Sequence, residues 1–167
     1  FKCEGTYRVG GATITCPRPH GELTFTQALA VSCNCTFARM GEYISAEEFR
    51  QYVKRFHLLD PANLALPSLA GRMGDLRGPN SRVLLAETAF GQGQTLVTPL
   101  QIARLTLAIA RGGEVLQPYI VAEVTDPGGG RVRTGKAVSL GQAVSAQTAH
   151  SVAGMMTAVV EEGTAAD

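Results

Sequence analysis

The sequence predicts an α+β segment in which helices dominate, and three observations carry that prediction. Three capping pairs, Thr24/Gln27, Ser45/Glu48 and Thr98/Gln101, each head a run of apolar residues at helical spacing. An alternating stretch over 6–15 is broken by Gly10-Gly11, the pattern of a β-hairpin. A glycine-rich turn, Asp126-Pro127-Gly128-Gly129-Gly130, separates two extended pieces near 118–133.

Taken in order, residues 1–21 read as a hairpin of Thr6–Val9 against Ala12–Thr15, closed by Pro17, Pro19 and Gly21. Thr24 then opens a helix whose apolar face is Phe25, Ala28 and Leu29. Ser32-Cys33-Asn34 interrupts it, because Ser and Asn side chains compete for backbone hydrogen bonds and favour turns. Phe37 and Met40 mark a short helix that stops at Gly41. Ser45 caps the next, with Phe49, Tyr52, Val53 and Phe56 at helical spacing and Asp60-Pro61 as its end. Residues 57–82 are leucine-rich but carry no clean period and read as irregular.

Thr98-Pro99-Leu100-Gln101 is the strongest helix start in the chain. Pro99 occupies the first helical position, where its missing N–H costs nothing. Ile102, Leu105 and Ile109 are expected to line its buried face, with Gly112-Gly113 as the stop. Tyr119 to Thr125 reads as a strand and Arg131-Val132-Arg133 as its return. Ser145 caps a last helix with Val152, Met155, Met156, Val159 and Val160 on one stripe, stopped by Gly163. No internal repeat or linker divides the chain, so residues 1–167 read as one segment of one domain.

Apolar residues make up 45% and charged residues 17%, a globular rather than disordered balance. With a net charge of +1 and no Lys/Arg cluster, the chain has no electrostatic footprint for nucleic acid. No apolar run reaches the roughly 18 residues of a membrane span. The four cysteines, at 3, 16, 33 and 35, do not follow the spacing of common zinc knuckles, and Cys33-x-Cys35 is tighter than they allow. A metal site that also used His20 is thereby disfavoured, and no metal or cofactor is expected. Cys3 and Cys16 flank the first hairpin and read either as a disulfide or as two small buried side chains.

Three stretches together resemble the transpeptidase domain of penicillin-binding proteins, particularly the monofunctional class B kind. The first runs from His20-Gly21 through Ala28-Leu29-Ala30-Val31-Ser32-Cys33-Asn34 to Phe37-Ala38. The second is Phe90-Gly91-Gln92-Gly93 with Val97-Thr98-Pro99-Leu100-Gln101-Ile102-Ala103, then Ala110-Arg111-Gly112-Gly113 and Pro118. The third is Met156 to Ala165, with Val159-Val160 and Gly163-Thr164-Ala165. They follow the family's order across nearly the whole chain.

The resemblance implies the helical part of the penicillin-binding protein and serine β-lactamase-like fold. It also implies a parent enzyme that cross-links peptidoglycan stem peptides in cell division or elongation, outside the cytoplasmic membrane, with β-lactams as covalent inhibitors. In that family a serine in Ser-x-x-Lys attacks a D-Ala-D-Ala carbonyl to give an acyl-enzyme. Ser32 and Asn34 are the expected site residues here. Ser32 would join the proton relay to the leaving amine, and Asn34 would hydrogen-bond the substrate backbone or the motif lysine. Residues two apart in an extended turn share a side, so Cys33 is expected to face inward.

None of the serines at 32, 45, 68, 81, 139, 145 and 151 has Lys three residues on, and no Lys-Thr-Gly occurs. Thr134-Gly135-Lys136 has those letters in another order and reads as a solvated turn. In the family the nucleophile precedes the region matched by Phe1 and the Lys-Thr-Gly strand follows Asp167. The expectation is therefore a segment truncated at both ends, whose partners include the remainder of its own domain. A non-catalytic β-lactam sensor or cell-wall scaffold on the same fold would carry the same segment, as would an interaction domain stabilised by metal at the cysteines. His57, His150 and Glu161-Glu162 are weaker candidates, because no Gly-x-Ser-x-Gly elbow exists and adjacent helical carboxylates diverge.

Overall fold

The three capping boxes form as expected: Thr24 with Gln27, Ser45 with Glu48 and Thr98 with Gln101 each exchange both side-chain-to-backbone bonds. In the computed structural model, which describes every residue except Ala65 and Asp167, they open helices α1 (Phe25–Ala30), α3 (Ala46–Arg55) and α5 (Pro99–Ala110). Around them run β1 (Lys2–Cys3), β2 (Thr6–Val9), β3 (Ala12–Thr15), β4 (Gly21–Glu22), α2 (Asn34–Gly41) and α4 (Ser81–Ala89). After α5 come β5 (Glu114–Gln117), β6 (Glu123–Thr125), β7 (Arg131–Thr134), β8 (Val138–Gln142) and α6 (Ala146–Glu161). Among the described residues the strands make four two-stranded antiparallel pairs, β1–β4, β2–β3, β5–β8 and β6–β7.

Three small cores hold these elements. Cys3, Ala28, Cys33 and Cys35 form one under Phe37 and Leu23, while Val9, Ile14, Ala38 and Ala86 form a second, and Tyr7 packs against both. The third joins Ala108, Val115 and Ala143 with Phe56 and Leu140. Helix α2 crosses α4 at Gly41, where an added Cβ would stand 3.0 Å from the Ala89 Cβ, so the helices approach as closely as a missing side chain permits.

Several expectations change on folding. The buried face of α5 is Gln101, Arg104, Ala108 and Ile109, not an Ile102 stripe; Ile102 is 48% exposed and Leu107 46%. The reason is polar. Gln101 Nε2 donates to the Asp60 carbonyl at 2.8 Å, and the Arg104 guanidinium donates to the His57 carbonyl. These two side chains turn inward to satisfy the irregular 57–60 segment, and buried polar groups are kept where such partners exist. The strand expected at Tyr119–Thr125 begins only at Glu123, and β5 precedes it. Helix α4 and the β5–β8 pair were not expected at all. Asn80, the N-cap of α4, makes no side-chain cap bond, and β8 pairs across a bulge with residues far back in sequence. On α6 the Val152–Val159 stripe is half-buried against α1 and α5, with Ala149 fully buried and Val160 exposed. No helix among the described residues is long and apolar enough to cross a membrane.

Candidate active-site turn

The end of α1 sets the geometry of Ser32. The Cys33 N–H donates to the Ala28 carbonyl at 2.9 Å and the Ser32 N–H to Leu29 at 3.1 Å. This is a Schellman cap, whose C′ residue must be left-handed; here that residue is Ser32, with φ 53°. Glycine is the usual occupant, because a Cβ in that region costs roughly 1–2 kcal/mol. His57 and Asn63 are also left-handed, at 53° and 50°, so Ser32 is a candidate by its motif context and not by φ alone.

Cys33 follows as the N-cap of α2 and is fully buried, while Ser32 is exposed and Asn34 half-buried. The inward Cys33 is as expected, although the cause is the αL turn and not an extended one. The Ser32 Oγ lies 3.2 Å from the Thr164 Oγ1, and the Thr164 N–H donates to the Ala30 carbonyl at 3.0 Å. The segment after α6 thus sits directly on the end of α1. Its closest approach is at Gly163, where an added Cβ would come 2.2 Å from the Ala30 carbonyl oxygen. Gly163→Ala is therefore expected to destabilise the complete polypeptide by about 1–3 kcal/mol. A lower urea midpoint at unchanged slope would register it.

Asn34 Nδ2 donates to the Thr15 carbonyl at 2.9 Å, which ties α2 to the end of the first hairpin. Its amide oxygen makes no hydrogen bond to the described residues. Asn34 lines an open recess of about 330 Å³ with Thr13, Thr15, Phe90, Gln92 and Gly93. Gly91 and Gly93 have φ of 79° and 78°, so Gly-Gln-Gly is a tight turn, as expected, and it borders the same recess as Asn34. The contact to Thr164 and the wall from Thr13 and Thr15 carried no sequence signal.

The other candidates stand apart. His57 Nδ1 contacts the Asp60 carboxylate at 2.6 Å within its own loop; His150, Glu161 and Glu162 are exposed. Thr134 and Lys136 are likewise exposed at the end of β7. Among the described residues no serine hydroxyl hydrogen-bonds a histidine.

Behind the turn, all four cysteines are free thiols gathered in one place. The Sγ atoms of Cys3 and Cys16 are 3.8 Å apart, those of Cys16 and Cys33 3.8 Å, and those of Cys16 and Cys35 3.4 Å. His20 Nδ1 stands 3.6 Å from the Cys3 Sγ. These groups arrive from separate elements, so linear cysteine spacing does not describe their arrangement. Burial pushes the Cys33 thiol up to about 11, against the opposing Thr36 donors. Burial acts the same way on Cys3, but hydrogen bonds from the His20 and Gly5 backbone outweigh it and bring that thiol down to about 6.

The chain matches the family model of the penicillin binding protein transpeptidase domain over residues 1–167. It is 31% identical over 170 residues to stage V sporulation protein D of Bacillus subtilis, covering 98% of this chain and 26% of that protein. It is 28% identical over 135 residues to the peptidoglycan D,D-transpeptidase PbpA of Mycobacterium tuberculosis, covering 80% of this chain and 27% of that one. The imipenem acyl-enzyme of penicillin-binding protein A from M. tuberculosis superposes with a TM-score of 0.86 at 26% identity, covering 96% of this chain and 38% of that one. The chain spans about a quarter of the length of these curated relatives. With a family model matched from its first residue to its last, and the α+β arrangement of that fold, the chain belongs to the penicillin-binding protein transpeptidase domain family.

Proposed function

We propose that this chain supplies the Ser-x-Asn element of a peptidoglycan D,D-transpeptidase that works on the outer side of the bacterial cytoplasmic membrane. The observation that carries the reading is the turn itself: a left-handed Ser32 and a recess-lining Asn34 on either side of a buried Cys33. In the reaction a serine oxygen elsewhere in the domain bonds to the penultimate D-Ala carbonyl carbon. The C–N bond to the terminal D-Ala breaks, and the departing amine takes a proton. Ser32 is suited to pass that proton, as an exposed hydroxyl already in a hydrogen-bonded pair with Thr164. Asn34 is suited to hold the donor peptide, with its Nδ2 anchored to the Thr15 carbonyl and its amide oxygen left to accept from a ligand. A second stem-peptide amine then displaces the serine, and β-lactams enter by the same acylation.

The remainder of the domain is the natural cover for the apolar hollow along α5, about 260 Å³, walled by Leu100, Ala103, Leu107, Leu116 and Tyr119. Fluorescent penicillin followed by denaturing electrophoresis tests the whole reading. The complete polypeptide is expected to take the label, and residues 1–167 alone are expected to take none, because no Ser-x-x-Lys occurs within them. A labelled band at the mass of the short chain would overturn the assignment.

A further inference from the structure

We propose that Cys3, Cys16, His20 and Cys33 form a structural Zn²⁺ site that clamps the Ser32–Asn34 turn from behind. Their four ligand atoms all lie within 4.8 Å of one another. Zinc–thiolate bonds of about 2.3 Å and zinc–imidazole bonds of about 2.0–2.1 Å give a tetrahedron with S···S edges of about 3.8 Å and S···N edges of about 3.6 Å. Three of the six edges match these values, at 3.8 Å for Cys3–Cys16, 3.8 Å for Cys16–Cys33 and 3.6 Å for Cys3–His20, and the other three are no longer than 4.8 Å. Half of the edges therefore already match one tetrahedral ion, and the other half need close by no more than about 1 Å to match it as well. Three sulfurs and one imidazole select zinc among the common divalent ions, and four protein ligands leave no open position for catalysis.

The surroundings fit the same ion. The Cys35 N–H donates to the Cys16 Sγ at 3.4 Å, and the Thr36 hydroxyl donates to the Cys33 Sγ at 3.2 Å. Such outer donors orient ligands and offset the net negative charge of three thiolates on a divalent cation. Cys35 itself falls outside the four-atom group and acts through its backbone. One disulfide leaves two of the four thiols unpaired, and even two bridges would give His20 no role beside the Cys3 Sγ. On binding, each cysteine loses its thiol proton to solvent and His20 binds as neutral imidazole. The ion would then join β1, the end of β3, the segment before β4 and the α1–α2 turn at one point.

The test is metal analysis of the complete polypeptide purified under reducing conditions and equilibrated with Zn²⁺. One zinc per chain is expected. Replacement by Co²⁺ should give a thiolate-to-cobalt charge-transfer band and intense tetrahedral ligand-field bands. Cys33→Ser and His20→Ala should each lose the metal, Cys35→Ser should keep one equivalent, and Thr36→Val should keep it with affinity about 10–100-fold weaker. Chelation of the wild-type protein should also speed hydrogen exchange at the Ser32 and Cys33 amides. No zinc in the reduced protein, or weak octahedral cobalt bands, would overturn the proposal, as would metal loss in Cys35→Ser equal to that in Cys33→Ser. None of these readouts depends on the catalytic roles given to Ser32 and Asn34, so the two readings fail separately.

Discussion

Asn34→Ala in the complete enzyme is expected to slow acylation by a β-lactam by about 10²–10³-fold, the usual cost of losing one well-placed polar contact made in the transition state. The variant should remain folded. Its lost bond to the Thr15 carbonyl is one partly exposed hydrogen bond, worth about 1 kcal/mol. Stopped-flow acylation together with thermal unfolding separates the two effects. Wild-type acylation kinetics in a folded Asn34→Ala protein would remove Asn34 from the site and leave it as a tie between α2 and β3.

Ser32→Gly offers a test that is unusually clean for a site residue. The backbone at Ser32 is already in the conformation glycine prefers, with φ 53°. Relief of the roughly 1–2 kcal/mol αL penalty offsets the entropy that a glycine loses on folding, about 0.5–1 kcal/mol. The Schellman cap should persist and stability should change little. The hydroxyl, however, is gone, and with it the expected proton relay. A positioned proton-transfer group contributes about 10²–10⁴-fold, so acylation should fall by that order. Ser32→Ala keeps the αL penalty and should lose both rate and some stability. If Ser32→Gly retains full acylation, the serine is present only as a left-handed cap.

Local chemistry made much of this fold legible. The capping boxes, the Pro99 start and the β2–β3 hairpin appear at the residues where side-chain and turn chemistry put them. What pattern reading missed was non-local. The buried face of α5 is decided by carbonyls of the 57–60 segment, which no hydrophobic period encodes. β1 pairs with β4, and β5 with β8, across intervening elements. At the turn, Ser32 and Asn34 are candidates on the family's motif order, and the burial of Cys33 was legible from side-chain alternation. The left-handed φ, the Thr164 contact and the convergence of His20 with three cysteines were not, because each depends on segments meeting only in the folded chain. Cysteine spacing carries no information on that convergence, because knuckle rules describe groups within one turn and these four come from separate elements.

The contact between Ser32 and Thr164 joins positions 132 residues apart, and that separation has a consequence in time. At about 5–20 residues per second, the ribosome needs on the order of ten seconds or more to deliver Thr164 after Ser32 has appeared. Everything behind the turn, from Cys3 to Cys33, is made first and closes over short loops, which cost little entropy. The rear of the turn can therefore set while its front is still open to solvent. The hydroxyl pair on the outer side is among the last contacts to form, and a chain arrested before Gly163 would hold a shaped but uncovered Ser32.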